Sequence, residues 1–444
     1  MNRKWGYAAL ALFAAAALYY FTAGKTKVIE KMRFEVHQQL SIMAQRGFKT
    51  ETAKKAKDQE HIELLFDDPQ KVAAFFQAQG IHISPTDASK LRGLKIAVDL
   101  HYLPDTTHAV AADIYPVTLP RSLTENAKDD QEKKLIAQLR EMLKRKVILV
   151  HLNVSKTGSR FDGSMKDINE TLRTQKAMQV TMKGFTFDGD VNQGRLKEMR
   201  ENLKQLSIHD NEGLRMAMEG LHADYTMTGK RPYDYTLDYI IEKVVIAKKQ
   251  KLKIQMHHAR VDSLSHNQNG LLYTEAKAAA KTLSFTVQNR TVALEDTLLE
   301  VKADHLDIQA LETLQNTPET NQDTIDKALK QLLSKGIVFE IHNFSIARIR
   351  KENQTLQGLT MHAKCKIDKG FDPAAARRSP FAVLDKIAAE IDIALSNDLF
   401  AILATQPQTM IMLMLFPPQD QNGKKHYIIK LENGKLILNG QSLM

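Results

Sequence analysis

The chain lacks most of what would mark a disulfide scaffold or a familiar enzyme. It has one cysteine, Cys365, so no intrachain disulfide can form. Exported proteins are permitted disulfides but do not require them, so this scarcity is neutral on compartment. No G-x-S-x-G elbow, P-loop, G-x-G-x-x-G turn or H-E-x-x-H helix occurs. A hydrolase with a scattered triad stays open, but no residue pattern argues for one. Acidic residues are also short, 52 against 62 Lys and Arg, giving a formal charge of +10. Basic chains suit nucleic acid, anionic lipid or acidic polysaccharide, and compartment has to choose among these.

The apolar fraction, 43%, is ample for a core. Length, 444 residues, fits two or three domains or one elongated one. After Arg3 and Lys4, residues 5–24 carry no charge. Twenty helical residues span about 30 Å, the hydrocarbon thickness of a bilayer. Trp5 and Tyr7 stand at one end and Tyr19, Tyr20 and Phe21 at the other, as interfacial aromatics do. The segment therefore reads as a transmembrane anchor. A cleaved signal peptide ending at Thr22-Ala23-Gly24 is the rival, disfavoured by the length of the apolar stretch. Charge gives weak orientation, because Lys25, Lys27, Lys31 and Arg33 lie on the far side. With so much chain behind an N-terminal anchor, the bulk is expected outside the cytoplasm, away from nucleic acid.

Residues 25–47 read as a juxtamembrane helix, with Val28, Ile29, Met32, Val36, Leu40 and Met43 at helical spacing and Gly47 at its end. Asp68-Pro69 opens a short capped helix. Alternation then dominates. Leu94, Ile96, Val98 and Leu100 alternate with other residues, as do Tyr233, Tyr235, Leu237 and Tyr239, and Leu359, Met361, Ala363, Cys365 and Ile367. Period two with one apolar face means half-buried antiparallel strands. Residues 128–146 interrupt as an amphipathic helix, and Ile325, Ala328, Leu329, Leu332 and Leu333 form another, ended by Gly336. Asn433-Gly434 marks a closing hairpin. Gly184-Phe185, Gly220-Leu221 and Gly358-Leu359 look like a loose habit of opening a strand, without a fixed period. The expected fold is α+β but β-dominated: long antiparallel twisted sheets of hairpins with helical insertions, plus one transmembrane helix. The expected regions are an anchor at 1–24, the helix at 25–47, β-rich chain at 48–308, a helical insertion at 309–336 and β-hairpins with helices at 337–444.

The chain resembles the YdgA-like family of bacterial membrane-anchored periplasmic proteins of uncharacterised function. The likeness rests on Thr22-Ala23-Gly24-Lys25 before a helix, on the order of the middle strands, and above all on Leu431-Glu432-Asn433-Gly434-Lys435-Leu436-Ile437-Leu438-Asn439-Gly440. It is weakest over 48–175. The resemblance implies a single-pass inner-membrane protein with its body in the periplasm and a β-rich fold. It supplies no catalytic residues. The chain is also loosely similar to AsmA-like envelope proteins, whose long sheets are linked with lipid handling.

Individual residues favour plain readings. Asp188, Asp190 and Asn192 resemble a calcium loop, but Gly194 and Glu198 fall one position off the EF-hand places, and a hairpin turn explains them. His257 and His258 are strand neighbours pointing to opposite faces, a poor start for a metal site. His362 sits between lysines on a polar face, and Cys365 sits on an apolar one as a small hydrophobe. No cofactor is expected. Two features stand out as speculative lipid or partner contacts. Lys248, Lys249 and Lys251 concentrate charge at a turn, either for solubility or for anionic headgroups. Met410, Met412, Met414 and Phe416 lie in an apolar run too short to span a bilayer: the end of a core helix, or a flexible surface for an acyl chain. The resulting expectation is a non-enzymatic, membrane-tethered scaffold contacting phospholipid, glycolipid or another envelope component. The alternatives are a homo-oligomeric assembly module and, behind it, an envelope hydrolase.

Overall fold

The computed structural model describes residues 29–443 except 79–84, 126–128, 174–176, 193–194, 230, 232, 250, 318–320, 353, 407–412 and 414–415. The expected anchor at 1–24 lies outside the described residues, and no helix among those described is long and apolar enough to cross a membrane. The chain divides at 227/228 into two units, so the division runs through the expected 48–308 region.

The first unit packs helices on an antiparallel sheet. Its strands are β1 (Phe48–Lys54), β2 (Gln59–Phe66), β3 (Lys95–Tyr102), β4 (His108–Thr118), β5 (Val150–Ser155), β6 (Arg160–Met165), β7 (Ile168–Arg173), β8 (Ala177–Lys183), β9 (Phe185–Asn192), β10 (Arg195–Asp210) and β11 (Leu214–Met227). β1 to β6 pair in chain order. β9 then pairs with β6, β10 lies against both β8 and β9, and β11 closes on β10. The β1–β2 hairpin is a strand pair the sequence reading missed. Five of the seven β1 residues are charged or threonine, so no apolar stripe announces it.

The core of this unit is aromatic. Phe48 and Phe66 meet Phe75 and Phe76 from the helix Pro69–Ala78, with ring centroids 5.0 to 6.5 Å apart. Asp68 starts that helix by accepting from the Gln70 and Lys71 amides. The helix Ile29–Gln45 buries Val36, Leu40 and Met43. Further along, Phe161 stands opposite Gly189 and Phe187 opposite Gly163 across the β6–β9 pair. A Cβ on Gly163 would lie 2.3 Å from the Phe187 ring, so the two glycines make room for the two rings.

The second unit is a meander. Its strands are β12 (Tyr235–Lys248), β13 (Leu252–Gln268), β14 (Leu271–Val287), β15 (Arg290–Asp307), β16 (Val338–Lys351), β17 (Gln354–Ile367), β18 (Ile387–Ser396), β19 (Gln419–Gln421), β20 (Lys424–Glu432), β21 (Lys435–Leu438) and β22 (Gln441–Ser442). β12 to β18 pair each with the next, β20 joins β18, and β19 and β21 both join β20. The single expected insertion is two helices, Ile308–Asn316 and Gln322–Leu333, capped by Asp307 and Asn321. Arg377 grips Asp326 with two hydrogen bonds of 2.6 Å, tying the second of these to the helix Pro373–Arg378.

The loose glycine habit resolves into a recurring irregularity of the strand ladder. Gly184 and Gly220 in the first unit, and His258 and Asp296 in the second, all have positive φ. They recur at intervals of 36 to 38 residues, Gly184 just before β9 and the others within β11, β13 and β15. In the second unit the pairing ladder skips Glu242, His258, Lys281, Asp296, Ala347 and Gly358 along one row. At that row the apolar phase jumps by three: Ile241 to Val244, Met256 to Ala259, Ala280 to Leu283, Ile346 to Ile349. Arg348 pairs with Glu295 at 3.1 Å and Asp296 at 3.4 Å, neighbours that a regular pleat would put on opposite faces. The irregular row, skipped on both partners without a change of register, therefore absorbs the odd step and keeps one face apolar.

Candidate functional site

The apolar face of the second unit carries the feature of most interest. β12 presents Leu237, Tyr239 and Ile241, which stand opposite Ser263, Val261 and Ala259 of β13. Those stand opposite Ala276, Ala278 and Ala280 of β14. Large side chains return on β15 and β16, where Leu299 meets Phe344 and Val301 meets Ile341. Small residues on two central strands between tall neighbours make a shallow lane along the strand direction. β12 and β15 are three strand spacings apart, about 14 Å. Helices lie against β15 and, from Asn397–Ala404, against β17, β18 and β20. Val261, in the lane, is 38% exposed, and Phe339, on the same face, 45%.

The opposite face is a ladder of ion pairs. Arg260 meets Asp238 at 2.6 Å and Asp262 at 2.8 Å; Lys277 meets Glu300 at 2.9 Å; Lys430 meets Glu390 at 2.8 Å. Such pairs add little stability, but they mark the face that meets water.

Lys248, Lys249 and Lys251 come together, exposed, at the β12–β13 tip, where Lys249 takes a positive φ. Phe416 is half-buried between β18 and β19. Met410, Met412 and Met414 lie outside the described residues. Six strand positions separate β12 from β18, on the order of 29 Å, so the lysine tip and Phe416 do not form one site. Sequence reading passed over the lane itself. Its signal was the alternation Ala276, Ala278, Ala280, where size rather than polarity carries the pattern.

Chemistry-bearing groups cluster in the first unit instead. Asp99 accepts from Lys55 at 2.9 Å, His61 at 2.7 Å, Tyr115 at 2.8 Å and Lys146 at 3.3 Å. Burial alone would raise its carboxyl, but these four donors together hold it well below the usual carboxylate range. Burial and the Asp99 charge push the Tyr115 hydroxyl up. The Lys146 ammonium, 3.7 Å over the Tyr115 ring, is partly desolvated, yet Tyr115 and Asp99 raise it. A general base needs a pKa near neutrality, and these shifts run away from it, so the cluster acts as a clamp on β2, β3 and β4. A second clamp holds the helix Ile29–Gln45. Glu60, 2% exposed, accepts from Tyr102 at 2.9 Å, meets His37, and lies 3.4 Å from Arg33. His257 and His258 are neighbours on β13, His258 on the irregular row, and His258 pairs with Glu242 at 2.9 Å. Among the described residues no group of three or more His, Cys, Asp or Glu is placed to hold a metal ion.

A family model described as a bacterial protein of unknown function, DUF945, matches residues 122–443. The chain belongs to this family. The matched stretch starts just before the helix Asp130–Lys144 and takes in the irregular hairpins and the lane; the β1–β4 hairpins fall outside it. No curated protein and no solved structure matches the chain.

Proposed function

We propose that the protein is a membrane-tethered, non-enzymatic envelope protein, with its body in the periplasm, that holds acyl chains of a phospholipid or glycolipid on the apolar lane of β12–β15. One observation carries this reading: an apolar face with a floor of mostly small residues on β13 and β14, exposed at Val261. A floor of Ala and Ser around Val261 lets an alkyl chain approach the backbone closely while Leu237, Tyr239, Leu299 and Phe344 flank it. The uncharged stretch at residues 5–24, read as an anchor, would keep this face near its lipid source. The lysine tip supplies three cations for anionic headgroups at one end of the sheet.

The test is mass spectrometry of lipids that co-purify with residues 26–444, exported to the periplasm and isolated without detergent. Stoichiometric phospholipid or glycolipid is expected, with at least a tenfold loss on Ala278→Trp, which fills the lane. A lipid-free wild type, or an Ala278→Trp variant that carries as much lipid, would overturn the reading in favour of an assembly module.

A further inference from the structure

The polar face of the first unit has a groove that no role assigned so far uses. It lies open across β7, β8, β10 and β11 and offers a volume of about 550 Å3. The register sets its floor in rows. Gln205 stands between Lys183 and Glu219; Ser207 stands between Thr181 and Ala217; His209 stands between Gln179 and Arg215. Asn169 extends the middle row beyond Thr181. The alternate residues Val180, Met182, Leu206 and Ile208 face the other way, so the sheet itself fixes the floor.

Two properties mark this groove. Its floor is dominated by uncharged amides and hydroxyls rather than ion pairs. Gln179 donates to Asn169 Oδ1 at 3.0 Å, and Thr181 donates to the same oxygen at 3.4 Å, which leaves the Asn169 amide nitrogen as a donor into the groove. Its cations are also unspent. Among the described residues Lys183, His209 and Arg215 have no carboxylate within ion-pairing reach, whereas Arg260, Lys277 and Lys430 on the other unit's polar face all do. The one lining carboxylate, Asp210, accepts from the Glu212 and Leu214 amides at 2.9 and 2.8 Å and so is committed to the turn that leads into Arg215.

The cations stand at two ends. His209 and Arg215 are cross-strand partners at one end, and Lys183 is four strand residues away, about 14 Å. We propose that this groove binds a linear anionic oligosaccharide, with one acidic group on the His209–Arg215 pair, a second near Lys183, and the intervening hydroxyls on Asn169, Gln179, Gln205 and Ser207. Amide and hydroxyl groups in a fixed row recognise sugar hydroxyls, and two separated cationic ends select a chain carrying repeated negative charge over a single small anion.

The experiment is titration calorimetry on the full chain in a polyoxyethylene detergent, which has no sugar headgroup to compete. The probes are tetragalacturonate, maltotetraose and inorganic phosphate. Tetragalacturonate is expected to bind, maltotetraose at least tenfold more weakly, and phosphate more weakly still. The double variant Lys183→Gln, Arg215→Gln should lose at least tenfold, and Arg215→Lys should keep most of the binding, which separates charge from misfolding. Equal binding of maltotetraose would overturn the charge argument. Phosphate binding as tightly as tetragalacturonate would reduce the site to an anion pocket and overturn the saccharide. Unchanged affinity in the double variant would place the ligand elsewhere and overturn the site.

Discussion

The two units use the same antiparallel hairpins and bury their side chains in different ways. The first encloses an aromatic core: Phe48, Phe66, Phe75 and Phe76 are all nearly inaccessible. In the second, the large fully buried residues are few, and Leu252, Phe285, Val287 and Phe339 remain over a third exposed. The difference lies in what covers the sheet. Two well-packed helices, Ile29–Gln45 and Pro69–Ala78, serve the hairpins of the first unit. Among the described residues of the second unit, helices contact β15 and β17, β18 and β20, and Val261 on β13 stays exposed. A sheet can thus be specified by register without being specified by a closed core, and the exposed part is where binding is expected.

Mutations should expose this contrast. Phe66→Ala is expected to cost about 3 to 5 kcal/mol in chemical denaturation, because its partners cannot collapse into the space. Val261→Ala, on the open lane, should cost less than about 1 kcal/mol, since water already reaches it. Equal costs would mean that the two units are covered alike. Glu60→Ala should cost about 3 kcal/mol by leaving Tyr102 and Arg33 without their carboxylate, and should loosen the helix Ile29–Gln45 in hydrogen exchange first. Retained protection of that helix would show that apolar contacts alone dock it.

The irregular row can be tested from both sides. A Cβ on Gly358 would lie 1.8 Å from the Ile346 carbonyl oxygen, so Gly358→Ala should cost about 1 to 3 kcal/mol. His258 holds a positive φ, so His258→Gly should be neutral or stabilising by up to about 1 kcal/mol despite losing the Glu242 pair. Destabilisation well beyond that would show that the His258 side chain, not the backbone conformation, fixes the row. The smallest effect concerns pH. The folded Asp99 carboxyl is depressed below its unfolded value, so its contribution is present above about pH 4 and lost as pH falls through the folded value. Asp99→Asn should therefore be less stable at pH 7 and show a shallower loss of stability under acid. Parallel acid profiles would remove Asp99 from the account.

Where one side of an element was wet and the other dry, the sequence was readable. β17 follows Leu359, Met361, Ala363, Cys365 and Ile367, and the helix Gln322–Leu333 follows its apolar positions. β1 was not readable, because its pairing with β2, rather than any stripe of its own, makes it a strand. The recurring irregularity was half-legible: Gly184 and Gly220 betrayed it, but His258 and Asp296 adopt the same backbone without glycine, and the helices between β15 and β16 hide the period before Gly358. The lane was missed because alanine counts as apolar in a pattern and as empty only in space. The groove was missed because Lys183, His209 and Arg215 are spread over 33 positions, and only the β8–β10–β11 register gathers them.

By itself the sequence determined the element types, the β-dominated class and which face of most strands is apolar, since side-chain period and turn residues are local properties of the chain. The tertiary structure alone decided which of those apolar faces is covered, which cations are paired, and how the irregular positions line up. Burial and ion pairing depend on neighbours brought together from distant positions, and that information is carried by strand register rather than by any one segment.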